Sequence, residues 1–291
     1  MCCEAVKIDN FLATRGNGMD PTLLDMSDSD YSALDYPEVL MRLFHPRSEY
    51  GSMEKPTDAF DVLIPVERDV VVAGRYYMTE KSAPNVLFFH GNGEIVADYD
   101  DLGSVYNRMG MNLLAVDYRG YGRSTGKPTV TTMMMDCHEI FKFTKGWLEG
   151  NGYTGIFVVM GRSLGSASAL ELASHHKGSM DGLIVESGFA YTGLLLAFLG
   201  VNSSAIDFRE EKGFRNLEKI RPWDKPTLVI HAEFDHIIPF SEGQALYNAC
   251  SSSDKAFLKI PGANHNDIFM RGLYPYMKAV KLLSERSGSK G

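Results

Sequence analysis

Three residues carry the chemistry this sequence is equipped to perform: Ser163, Asp235 and His265. Ser163 is the centre of Gly161-Arg162-Ser163-Leu164-Gly165. The apolar, β-branched run Ile156-Phe157-Val158-Val159-Met160 precedes it and the small-residue stretch 166–174 follows. Strand, Gly-x-Ser-x-Gly and helix together are the context of a nucleophile elbow, a turn so sharp that glycines must flank the serine. The helix that follows aims unpaired N–H groups and a partial positive charge at an oxygen that must become an anion. A serine hydroxyl is a poor nucleophile until a base takes its proton. Histidine suits that task near neutral pH, and an acid must fix its tautomer. Ser163, Asp235 and His265 come in the chain order Ser, Asp, His, and each follows an expected strand.

The other histidines sort by position. His45 and His138 precede the elbow, His175 and His176 end its helix, His231 lies within a strand, and His236 directly follows Asp235. His90 stands in a loop before the elbow, so His265 alone occupies the loop after the last strand. For the acid, Asp235 is preferred to Glu186 and Glu233, because the short strand–helix–strand path to His265 sets the two loops side by side. The oxyanion donors are expected from two turns. One is the backbone N–H of Leu164, directly after the nucleophile. The other is the backbone N–H of Asn92 in His90-Gly91-Asn92-Gly93-Glu94, which follows the buried run Val86-Leu87-Phe88-Phe89. His90 is read as a residue that holds this loop. Asp117 and Arg119, at the end of run 111–116, are read as locally paired charges of a turn.

Around these residues the chain alternates strands with helices. Runs 59–66 and 69–77 read as an antiparallel hairpin. Strands are expected at 86–89, 111–116, 156–160, 183–185, 227–231 and 256–260, and helices at 98–110, 131–147, 166–174, 243–249 and from about 268 to 284. This rhythm indicates an α/β fold: a mostly parallel central sheet flanked by helices, whose carboxyl-end loops share one ligand-binding face. Residues 1–55 are expected to be an extension packing on the core, without chemistry of their own. Residues 56–291 form the main domain, and 190–216 a short lid insertion with an apolar centre, Leu194 to Leu199.

The length of 291 residues suits one such domain with decorations. A net charge of −8 argues against nucleic acid as partner. No run approaches a membrane span, and Met1-Cys2-Cys3-Glu4 lacks the features of a secretory signal. Cys2, Cys3, Cys137 and Cys250 form neither a metal spacing nor a disulfide framework, so a reducing, cytoplasmic setting is expected, with no cofactor and no metal.

Several motifs in order give the chain a resemblance. Phe89-His90-Gly91-Asn92-Gly93, Asp117-Tyr118-Arg119-Gly120-Tyr121-Gly122, the elbow, Asn216-Leu217-Glu218-Lys219-Ile220, the run from Ile230 through Asp235 to Pro239, and Gly262 to Asp267 are similar to those of α/β-hydrolase superfamily serine hydrolases. The chain most resembles the compact alpha/beta-hydrolase-domain proteins, which include protein depalmitoylases and bacterial esterases. That resemblance implies the α/β-hydrolase fold and hydrolysis of a small-molecule carboxylic ester or thioester through an acyl-enzyme. Acyl transfer, amide or C–C hydrolysis, and a non-catalytic ligand-binding role are the alternatives on the same fold. Ala232 departs from the glycine common after the strand's His231, and the lipid-anchored, cysteine-rich N-terminus of the eukaryotic depalmitoylases has no counterpart here, so depalmitoylation is not implied.

Overall fold

The computed structural model describes residues 30–49, 56–57 and 59–288. Cys2, Cys3 and the acidic lead-in through Asp28 lie outside the described residues. The hairpin is β1 (Ala59–Glu67) with β2 (Val70–Tyr77), and β2 pairs antiparallel with β4 (Asn112–Val116). From there β3 (Asn85–Phe89), β4, β5 (Phe157–Arg162), β6 (Gly182–Glu186), β7 (Thr227–Ala232) and β8 (Lys255–Ile260) run parallel. The sheet order is β1-β2-β4-β3-β5-β6-β7-β8. The expected α/β architecture, a mostly parallel sheet with an antiparallel N-terminal hairpin, is the one observed.

Continuous apolar strands follow from burial on both faces, since side chains alternate across the sheet. Leu87, Phe89, Val159, Leu183 and Val185 belong to one core. Val86, Phe88, Val158, Met160 and Ile184 belong to the other. The first core is covered by α1 (Pro37–Leu43), α3 (Val130–Gly150), α4 (Gly165–His175), α6 (Asn216–Ile220) and α7 (Phe240–Ala249). The second is covered by α2 (Asp100–Arg108) and α8 (Ile268–Gly288). Helix α8 is kinked at Gly272, just ahead of Pro275, which offers no N–H to the carbonyl four residues back. Between β6 and α7 the chain makes α5 (Thr192–Phe198) and α6. Because the inner strands are parallel, the turns after β3, β5, β6, β7 and β8 open on one face.

Residues 31–49 belong to this same compact unit. Tyr31, Leu34, Val39, Leu43 and Phe44 are buried in the first core. Asp35 reaches the start of α3, where its Oδ1 accepts from the N–H groups of Val130 (2.8 Å) and Thr131 (3.2 Å). Those amides have no partner inside the helix, so a carboxylate here satisfies them and opposes the positive helix end. Asp35→Ala is therefore expected to cost about 1 kcal/mol of unfolding free energy in urea titration. An unchanged midpoint would remove Asp35 from the cap.

Candidate active site

The turn after β5 bends as its sequence demands. Ser163 has φ +50°, a left-handed conformation that costs a non-glycine residue energy and that neighbours must enforce. A Cβ at Gly161 would run into the carbonyl of Gly165, and one at Gly165 into the carbonyl of Phe89. Both glycines are thus dictated by backbone approaching backbone. The N–H of Ser163 donates to the carbonyl of Glu186 at 2.8 Å, which ties the turn to β6, and α4 starts two residues later.

The structure brings Ser163, Asp235 and His265 into one hydrogen-bonded chain. Ser163 Oγ lies 3.0 Å from His265 Nε2, and His265 Nδ1 lies 2.7 Å from Asp235 Oδ2. A carboxylate only accepts, so the imidazole proton sits on Nδ1, leaving the Nε2 lone pair facing the serine hydroxyl. Asp235 Oδ1 accepts from the N–H groups of Ile237 (3.0 Å) and Ile238 (2.8 Å). Burial alone would raise its pKa. The hydrogen bond and charge of His265, with the Ile238 amide, outweigh burial and hold it below the usual carboxylate range. All three side chains are buried or nearly so. Glu186, the competing acid, is turned elsewhere: its Oε1 accepts from Arg162 Nη1 at 2.6 Å and its Oε2 from Tyr276 Oη at 2.8 Å.

That pair introduces a residue to which the sequence reading gave no role. Arg162 is buried beside the nucleophile, and its guanidinium reaches three separate turns. Nε donates to Glu94 Oε1 (2.9 Å), Nη1 to Glu186, and Nη2 to the backbone carbonyl of His265 (2.9 Å). Glu94 in turn accepts from the Gly91 N–H (2.6 Å) and Tyr99 Oη (2.5 Å). Burial would raise the Glu94 pKa, but the Arg162 charge and these partners hold it down at about 2. The loop after β3, the nucleophile turn, the end of β6 and the His265 loop therefore share one cation.

The loop from His90 to Glu94 is gripped from several sides. His90 is fully buried; its Nε2 is 3.1 Å from Asp117 Oδ1, which also accepts from the Val96 N–H at 3.0 Å. Arg119 makes a two-pronged pair with Asp136 at 2.7 Å and also binds Glu67. His90 and these charges hold turns together, as the sequence suggested. The Asn92 side chain is anchored too. Its Oδ1 accepts from the His45 N–H (2.8 Å) and Tyr121 Oη (2.7 Å), and Arg47 Nε donates to the Gly93 carbonyl (2.7 Å). His45 and Arg47 lie in the stretch read as free of chemistry, and no local motif marks them. Among the described residues no hydrogen-bond partner is found for the backbone N–H of Asn92 or of Leu164.

A cavity of about 360 Å³ borders this arrangement, lined by Arg162 and Asn266 beside the serine and histidine turns and by Leu102, Val105, Phe269 and Leu273 from α2 and α8. A smaller one, of about 80 Å³, lies at the opposite end of the sheet, near Pro226 and Leu283.

The chain is similar to several known proteins. Residues 80–200 match the family described as serine aminopeptidase, S33. Alpha/beta hydrolase domain-containing protein 17B of Homo sapiens is 31% identical over 210 residues, covering 68% of this chain and 67% of that protein. Protein bem46 of Schizosaccharomyces pombe is 28% identical over 216 residues, 69% of each chain. Among solved structures, the Pyrococcus furiosus esterase Pf2001 shares the fold with a TM-score of 0.65 at 19% identity, over 83% of this chain and 98% of that one.

Two outcomes follow from the shared cation. Arg162→Gln leaves two carboxylates without their counter-ion and is expected to lose about 3–5 kcal/mol in urea unfolding. Glu94 has a folded pKa below its ordinary value of 4.5, so its contribution is complete above that pH and vanishes as pH falls toward about 2. A Glu94→Gln variant is expected to show a flatter stability curve across that acid window than the parent; identical curves would contradict the assignment.

Proposed function

The chain belongs to the α/β-hydrolase superfamily, and from that premise we propose that it is a serine hydrolase cleaving small-molecule carboxylic esters or thioesters through an acyl-enzyme. The observation that carries this reading is the unbroken hydrogen-bond chain from Ser163 through His265 to Asp235. Ser163 Oγ attacks the acyl carbonyl while His265 Nε2 takes its proton. Asp235 holds the imidazole with its proton on Nδ1 and stabilises the imidazolium that forms. The backbone N–H groups of Asn92 and Leu164, at the mouth of α4, receive the oxyanion of the tetrahedral intermediate. His265 returns the proton to the leaving alcohol or thiol, and water, deprotonated by the same imidazole, releases the acid.

Substrate size is read from the surroundings. The cavity has the volume of a small-ligand pocket, with an apolar wall of Leu102, Val105, Phe269 and Leu273 and a polar one that includes Glu94, Asp98, Asp101 and Arg162. The apolar wall suits a short or medium acyl or alcohol group. On the other side, segment 190–216 serves as the lid, with Leu194 and Phe198 of α5 about half exposed. No helix among the described residues is long and apolar enough to cross a membrane. The buried, unpaired thiols of Cys137 and Cys250 accord with a cytoplasmic setting.

Hydrolysis of p-nitrophenyl esters from acetate to palmitate tests the reading, with aminoacyl p-nitroanilides beside them as the amide alternative. Ser163→Ala is expected to abolish ester turnover, and Asp235→Asn to lower kcat by about 10⁴-fold. Turnover at the parental rate in Ser163→Ala would refute the nucleophile, and a comparable loss in Glu186→Gln with Asp235→Asn unaffected would refute the acid.

A further inference from the structure

Well along α4 from the nucleophile, a second cluster of titratable side chains takes no part in this mechanism. His138 of α3 faces Glu171 and His175 of α4. The α4 pair is four residues apart and hence on one helix face. One donor atom from each of the three lies within 4.8 Å of the other two, the one such group among the described residues. His138 Nε2 and Glu171 Oε1 are 3.5 Å apart, and so are His175 Nδ1 and Glu171 Oε1. Those separations exceed an ordinary charged hydrogen bond. They are close to the edge of a tetrahedron with bonds of about 2.0–2.1 Å, which is about 3.3 Å.

We propose that His138 Nε2, Glu171 Oε1 and His175 Nδ1 form a binding site for a divalent transition metal, with zinc the best match to two imidazoles and a carboxylate. The observation that points to a ligand is an unpaired atom. His138 is 3% exposed, and its Nε2 is buried without a hydrogen-bond partner while it faces the cluster. The other ring nitrogen of His138 and the other oxygen of Glu171 are already held by neighbours, as metal-binding side chains require. His138 Nδ1 contacts His176 Nε2 at 2.8 Å, and when it donates there Nε2 keeps a free lone pair. Glu171 Oε2 is held by Tyr31 Oη (2.9 Å) and Lys219 Nζ (2.5 Å), which leaves Oε1 turned toward the two histidines. The carboxylate thus bridges the Lys219 ammonium on one side and the metal on the other.

Ligation requires His175 Nδ1 to exchange its contacts with the Glu171 carbonyl and Ser174 Oγ, both at 2.9 Å, for the metal. The carbonyl is not abandoned, because Ser174 Oγ already donates to it at 2.8 Å. The His175 side chain is 28% exposed, giving an entry path and room for water at the fourth position. A metal here would pin the far end of α4 to α3 and supply no step of ester cleavage.

Equilibrium dialysis of the full-length protein against zinc sulfate, with bound metal counted by mass spectrometry and thermal midpoints recorded, tests the site. One zinc per chain and a raised midpoint are expected, with ester turnover the same for the zinc-loaded and the chelator-treated protein. His138→Gln and His175→Gln are each expected to weaken zinc binding at least about ten-fold. His175→Gln, on a partly exposed residue, serves if His138→Gln fails to fold. Failure of the parent to retain zinc, or parental affinity in a folded His175→Gln variant, overturns the proposal. Titration of His138 as an imidazolium paired with Glu171 in the zinc-treated protein would overturn it equally.

Discussion

A buried cation cannot stand alone, and the guanidinium of Arg162 is buried beside Ser163. Three turns around the candidate catalytic residues supply its partners. Glu94 approaches from the turn after β3, Glu186 from the end of β6, and the His265 carbonyl from the turn after β8. Tyr99 and Tyr276 then fill acceptor positions that Arg162 leaves open on the two carboxylates. Replacing such a network by apolar groups need not weaken a protein. Its physical contribution is placement: with five donors in a rigid fork, arginine adds side-chain ties among turns that lie far apart in sequence.

The second constraint is steric. The serine turn is held in a left-handed conformation, and the backbone of α4 passes so close to β3 and β5 that a methyl group at either flanking glycine has nowhere to go. Strain of this kind persists only where surrounding structure over-determines it. The parallel sheet does so here: β5 lies between β3 and β6, and the Ser163 amide is tied to the β6 strand end.

How far the sequence discloses this depends on the range of each interaction. The sheet, the elbow and the grouping of Ser163, Asp235 and His265 follow from local signals: apolar runs, glycine spacing and chain order. Asp235 and Glu186 are both acids at strand ends between Ser163 and His265, and the short strand–helix–strand path to His265 favours the first. The geometry adds the reason Glu186 stands aside, because Arg162 and Tyr276 occupy both its oxygens. Arg162 itself escapes notice since the motif specifies only glycine and serine, and its partners lie in turns far off in sequence. His45 and Arg47 escape for the same reason. So does the kink of α8, where Pro275 is visible but the break falls at Gly272.

The grip of His45 and Arg47 on the Asn92–Gly93 turn also redefines where the working unit begins. The family match begins at residue 80 and the first recognised motif at Phe89, and a modular view would cut the chain ahead of the sheet. The contacts instead make residues 31–49 a strap over the mouth of the sheet, contributing core side chains, a helix cap and two clamps on one loop. Inheritance and mechanics thus draw different borders. Variation in this strap among related chains is free to retune the geometry of the Asn92 turn while leaving every residue of the recognisable motifs untouched.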